Sequence, residues 1–248
     1  METIEIALHA TVLVAAMLQA ITGIGFAMIA GPFILLAMNS GSAVQVTTLL
    51  SLLIALVLAP TLIAQVDKPL LKRFLIGTLI GLPIGILVFI NVSVDVLKLL
   101  AGITVLFMTL SAIGAPGFGR GSEGATPARQ MFVGTLSGAM CACLAMPGPV
   151  AAVHMTTTGY RKETIRATVL ALFVGSYTAA FLIQSAAVGA TPEMLFKTAS
   201  FVPATLVGIV IGRIVSGRIS ESHFRWLIIA FLVATSASLL FNSIRALV

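Results

Sequence analysis

Leu18-Gln19-Ala20-Ile21-Thr22-Gly23-Ile24-Gly25 interrupts an apolar run that extends to residue 38, and Gly31-Pro32 follows inside it. A second run, 130–158, carries the same fault. It reads Ser137-Gly138-Ala139-Met140-Cys141-Ala142-Cys143 and then Pro147-Gly148-Pro149. In a soluble chain these would be loops. At membrane depth, irregular backbone survives only where it is enclosed by protein or lines a watery cavity. Two broken segments at corresponding places in two halves point to the binding site of a transporter.

Composition puts both faults in a bilayer. The chain is 59% hydrophobic and 9% charged, with a mean hydropathy of +1.14. A soluble domain carries about 25% charged residues. No polar stretch is long enough for a soluble domain, and Glu2 and Glu5 stand where a cleavable signal would carry Lys or Arg. The net charge of +6 does not imply nucleic acid, because the basic residues cluster between apolar runs, as they do when they set membrane orientation. Cys141 and Cys143 are two apart in an apolar run and read as small packing residues.

A membrane span needs roughly 20 apolar residues. The uninterrupted candidates are 43–65, 70–91, 95–114, 164–187, 193–215 and 223–244. The chain divides into a first repeat (1–114), a linker (115–129) and a second repeat (130–248). Thr78-Leu-Ile-Gly81-Leu-Pro83-Ile-Gly85 recurs as Thr205-Leu-Val-Gly208-Ile-Val-Ile-Gly212, and Gly31-Pro32 aligns with Gly148-Pro149. Together these matches indicate an internal duplication.

Charge counting addresses the direction of the copies. If both broken segments crossed, the 14 Lys and Arg would split evenly between the two sides. If both re-enter, Lys68, Lys72, Arg73, Arg120, Arg129, Arg161, Lys162, Arg166, Arg213, Arg218 and Arg225 share one side, against Lys98, Lys197 and Arg245. That bias follows the positive-inside rule. The expectation is an all-α polytopic membrane protein of two inverted repeats. Each is a broken re-entrant hairpin of two half-helices plus three transmembrane helices. The basic side is cytoplasmic, both termini are outside, and the location is the cell inner membrane.

A helix that starts in mid-membrane points unpaired N–H groups and a partial positive charge into the cavity. Pro149 suits the first turn of such a helix, and Gly23, Gly25 and Gly148 allow backbone to approach a ligand. Gly31 and Gly138 belong to the same broken runs. The short polar groups near them are Gln19, Thr22, Thr47, Thr48 and Ser51 in the first half, and Ser137, Thr168, Ser176 and Tyr177 in the second. Hydroxyls in membrane helices bond their own backbone at least as often as a ligand. His154 is a candidate anion or proton contact, or else a loop-shoulder histidine. Arg166 anchors a helix start or forms a basic mouth that collects anions.

Absences narrow the function. All eight acidic residues fall at segment ends or in loops, which disfavours a carboxylate proton relay or a charged sodium site. An Asp pair, a Ser–His pair or a zinc motif of an intramembrane protease is missing, so neither enzyme chemistry, metal nor cofactor is expected. An inside-negative potential drives anions outward by about 2.3 kcal/mol per charge per 100 mV.

The two four-element halves, with Gln19-Ala-Ile-Thr-Gly-Ile-Gly-Phe26 before Gly31-Pro32 and Gly134-Thr-Leu-Ser-Gly138 running to Pro147-Gly-Pro149, resemble the TauE/SafE family of sulfite and organosulfonate exporters. The resemblance covers the whole chain. Phe26 stands where another Gly would be expected, and Met140-Cys-Ala-Cys143 replaces a richer glycine run. The resemblance implies export of a small sulfur-containing anion, organic or inorganic, such as sulfite, sulfoacetate or another C2 sulfonate. Alternating access driven by the membrane potential would serve, with an importer or channel-like permease for another anion as the alternative. The expected partners are that anion and the lipid bilayer, with a homodimer also permitted by the glycine faces.

Overall fold

The computed structural model describes residues 2–113, 126–216 and 233, and the expected span 223–244 and most of the linker lie outside them. Nine α-helices occur among the described residues: α1 Glu2–Thr22, α2 Phe26–Met38, α3 Ser42–Leu58, α4 Lys68–Asn91, α5 Val94–Ile113, α6 Pro127–Leu144, α7 Gly148–Thr157, α8 Lys162–Val188 and α9 Pro192–Val215. A 3-10 segment, Ala59–Gln65, extends α3. Pro60 lacks the N–H that an α-helix would need there. Five of these stretches are long and apolar enough to cross a membrane: Ile4–Thr22, Ser42–Gln65, Lys68–Asn91, Lys162–Val188 and Pro192–Val215. Apolar side chains on the outer faces of α4 (Leu79, Ile80, Ile84, Leu87) and α9 (Leu206, Val207, Val210, Ile214) are exposed, as lipid-facing surfaces require.

Local chemistry fixes several ends. α4, α6 and α9 start at Asp67, Thr126 and Thr191, whose side chains accept the N–H of Leu70, Arg129 and Met194, each with Pro in the first turn. The interruptions sit at 23–25 and 145–147. Gly23 and Gly25 have φ of +85° and +130°, which a side chain rarely tolerates. Ala145 ends α6 in the left-handed conformation at φ +58°, where the Ala145 and Met146 N–H groups reach back to Cys141 and Met140.

Three sequence expectations shift. The arms of the first segment are unequal, 21 residues in α1 and 13 in α2, because nothing before Gly23 breaks the helix. Gly31-Pro32 lies within α2 and breaks nothing, whereas Gly148-Pro149 opens α7. α6 begins at Pro127, inside the expected linker.

The closest helix contacts join the two halves. On α4, a β-carbon at Gly77, Gly81 or Gly85 would collide with the α6 backbone at Met131, Thr135 or Ala139. On α6, Gly134 and Gly138 meet the α4 backbone at Phe74 and Thr78 in the same way. Gly208 and Gly212 of α9 repeat this against Leu13 and Met17 of α1. Missing side chains let helix backbones touch, and in a bilayer such packing replaces the hydrophobic drive that lipid cannot supply. α4 also packs on α8, and α9 on α3. Each of these contacts keeps its partner type when the halves are exchanged.

α3 and α8 run antiparallel. Near one end the Gln45 Nε2 donates to the Gly189 carbonyl at 2.9 Å, and beyond the other the Asp67 N–H donates to Thr168 Oγ1 at 3.0 Å. Loops add further ties. Lys98 Nζ bonds Asn39 Oδ1 at 2.6 Å and pairs with Asp95 at 2.8 Å, which joins the end of α2 to the start of α5. Lys197 pairs with Glu5 at 2.6 Å, which places the starts of α1 and α9 together. Arg73 donates to Gln130 Oε1 at 2.6 Å, uniting the starts of α4 and α6. Between α7 and α8, burial and then the Asp67 carboxylate, which Tyr160 hydrogen-bonds, push the Tyr160 phenol above its usual pKa.

Candidate binding cavity between the two helix breaks

The two interruptions meet. A β-carbon on Gly148 would come within 3.4 Å of Ile24 Cγ2 and 2.7 Å of Phe173 Cζ. Gln19, Ile24, Gly25, Ala27, Met28, Met146, Gly148, Pro149, Phe173 and Tyr177 enclose a small cavity. It leaves about 10 Å³ for the centre of a water molecule, near the minimum for one bound water. Phe173 and Tyr177 come from the middle of the 27-residue α8, so the cavity sits at mid-length of a span-capable helix.

Both helix starts on the cavity lack a side-chain cap from their own N-cap residue, unlike α4, α6 and α9. Gln19 takes part of that role for α2. Its Oε1 accepts the Phe26 N–H at 2.9 Å, and its Nε2 is buried with no partner among the described residues. Helix geometry leaves the N–H groups of Ala27 and Met28 without intrahelical acceptors, and those of Gly148 and Val150 likewise. Tyr177 ties α8 to the second break, its hydroxyl donating to the Ala145 carbonyl at 3.1 Å, and its ring packs 5.2 Å from Phe173. None of the lining residues carries a charge.

Of the residues expected from sequence, the fold thus brings Gln19, Gly25, Gly148, Pro149 and Tyr177 to one cavity. The others do not line it. Thr22 Oγ1 serves the first break, within 2.8 Å of the Leu18 carbonyl and accepting from Ile24 N–H at 3.2 Å. Gly23 packs under the aliphatic stem of Arg166, whose Nη2 donates to the Ala20 carbonyl at 2.6 Å. Arg166 is therefore a cation at the C-terminal end of α1, where the helix dipole favours it. Gly31 lies against the methyl of Thr47, while Thr47 and Thr48 hydroxyls bond their own helix at Ala43 and Val44. Thr168 holds the turn before α4, and Gly138 is buried in the α4–α6 contact. Ser137 and Ser176 are buried hydroxyls with no partner among the described residues. Ser51 is likewise buried, and it faces the Tyr177 phenol. His154 is buried in the last turn of α7, its ring edge-on to Phe74 at 5.9 Å. Cys141 and Cys143 are buried free thiols, and no cluster of metal-ligating side chains occurs among the described residues.

Sequence reasoning missed the apolar part of the wall. Ile24, Met28 and Met146 are adjacent to the breaks, and that adjacency was a usable signal. Phe173 offers no local signal, since only the packing of α8 across both breaks brings it in.

A bundle of span-capable helices with a small cavity at the meeting of two broken helices is built as a membrane transporter. The sequence matches the profile of the "Sulfite exporter TauE/SafE" family over residues 8–239, nearly its whole length, and the chain belongs to that family. No curated protein and no solved structure matches it.

Proposed function

We propose that this chain exports a small sulfur-containing anion, such as sulfite, sulfoacetate or another C2 sulfonate, across the inner membrane by alternating access. The observation that carries the reading is the cavity between two helix starts. It offers N–H donors from α2, α7 and Gln19 and no fixed charge. Such a site prefers anions, because both helix dipoles turn their positive ends toward it.

The proposed architecture is a pair of inverted repeats opening on re-entrant hairpins. Support comes from α3 and α8, which correspond in the two repeats and run antiparallel. The Glu5–Lys197, Gln45–Gly189 and Lys98–Asn39 contacts join the start of α1 and the end of α2 to one end of the bundle. The Arg73–Gln130 and Asp67–Tyr160 contacts join the start of α6 and the end of α7 to the other.

The test is flux from proteoliposomes loaded with sulfite or sulfoacetate, with a potassium diffusion potential imposed by an ionophore. Efflux should grow with an inside-negative potential and persist when the pH gradient alone is collapsed. Absence of flux for every sulfur oxyanion and sulfonate, with carboxylates transported instead, would replace the substrate class. Dependence on the pH gradient at constant potential would replace the driving force.

A further inference from the structure

We propose that Gln19 sets the charge selectivity of the cavity: its amide is held as a pure hydrogen-bond donor, and it takes the place of a basic side chain. The proposal rests on the anion-transport reading and deepens it. A backbone N–H can only donate, so the Gln19 atom 2.9 Å from the Phe26 nitrogen must be the amide oxygen. That contact fixes the orientation of the amide, which electron density alone rarely distinguishes. Nε2 is then turned away from Phe26. The residue is 1% exposed and lines the cavity, and Nε2 has no partner among the described residues. A buried, unsatisfied donor is unfavourable by about 1–3 kcal/mol, a penalty that an acceptor arriving in the cavity removes.

The donor is one-sided. Gly81 and Gly85 meet α6 at Thr135 and Ala139, and Gly208 and Gly212 meet α1 at Leu13 and Met17. The same register carries Gln19 onto Cys141, whose thiol is a weak donor. The rest of the wall is apolar or thioether, from Ile24, Met28, Met146 and Phe173, apart from the Tyr177 hydroxyl, which donates to the Ala145 carbonyl. Arg166 is not among the lining residues: its Nη2 donates to the Ala20 carbonyl, and its Nε is buried without a partner among the described residues. Only the Gln19 amide therefore adds side-chain N–H groups to the positive helix ends. These N–H groups disfavour a cation, while an anionic headgroup gains charge-assisted hydrogen bonds from them.

Gln19→Glu separates selectivity from structure. A glutamate oxygen still accepts the Phe26 N–H and so keeps the start of α2 in place, but the opposite atom becomes an acceptor. The probe is ethanesulfonate, which stays ionised at every pH used, read by ligand-induced thermal stabilisation of purified protein and by proteoliposome efflux. Wild-type protein should be stabilised. Gln19→Glu should lose flux by about 100-fold or more at a pH where the carboxylate is ionised; at acid pH, where a protonated carboxyl again donates, it should keep the ligand-free melting temperature close to wild type and recover ethanesulfonate stabilisation. Gln19→Met, which removes both functions, should melt earlier and show no recovery. Equal ethanesulfonate flux in wild type and Gln19→Glu would overturn the role of Gln19 and leave anion transport standing. A wild-type protein that neither moves nor is stabilised by ethanesulfonate, sulfite or sulfoacetate would overturn both. A Gln19→Glu protein that unfolds while Gln19→Met folds would overturn the capping geometry on which the assignment stands.

Discussion

Gly148 opens α7 with the Phe173 ring edge 2.7 Å from the place of a β-carbon. Alanine there has to push α7 or the ring aside, which would move one of the two helix starts on the cavity. Gly148→Ala should therefore abolish sulfite efflux while the purified protein keeps a cooperative thermal transition; unchanged flux would remove α7 from the site. Tyr177→Phe deletes one hydrogen bond, from the hydroxyl to the Ala145 carbonyl. It should lower stability by about 1 kcal/mol, read as a small drop in melting temperature. Residue chemistry was legible from sequence wherever it was local. Gly23, Gly25, Gln19 and Pro149 announce a break and a helix start by type and spacing. Arg166 was not legible in the same way, because its partner, the Ala20 carbonyl, lies 146 residues away in sequence and is brought near only by the fold. Thr47 and Thr48 show the alternative that the sequence left open, their hydroxyls donating to the Ala43 and Val44 carbonyls of their own helix.

At the level of helices, the glycine faces decide the packing. A side chain at Gly81 points straight into the Thr135 carbonyl of α6, so no rotamer relieves it. Gly81→Leu should destabilise by at least about 2 kcal/mol, seen as early thermal unfolding in detergent, whereas the outward-facing Leu79→Ala should change little. The spacing of Gly77, Gly81 and Gly85 by four makes this face readable in the sequence as a close-packing surface. Which helix it touches is not readable there. The sequence offers a stripe, and only the fold reveals that the partner of α4 is α6 rather than its chain neighbour α5. Likewise, the Gly31-Pro32 pair looks like a break by composition, yet α2 runs through it. A single proline in a helix enclosed by its neighbours removes one hydrogen bond without ending the helix.

Across the whole molecule, the loop after α2 and the loop after α7 test the direction of the repeats. Single cysteines at positions 40 and 160, in a background whose buried native thiols are replaced, should react with impermeant reagent from opposite faces of the membrane. A shared face would rule out inverted copies. The proposed duplication rests on the Thr78 and Thr205 octamers, and its proposed hand on the basic-residue bias. The crossing of the halves could not, because no local pattern records which distant helix fills a glycine groove.

That crossing has a mechanical consequence. The tight glycine seams weld α4 to α6 and α1 to α9, so each welded pair takes one member from either half of the gene. Prising a seam open during every turnover would strip backbone contacts that lipid cannot replace. In the alternating-access cycle proposed above, each seam would move as one body, so α1 would travel with α9 and α4 with α6. The bodies that such a cycle moves would then not be the two halves of the sequence.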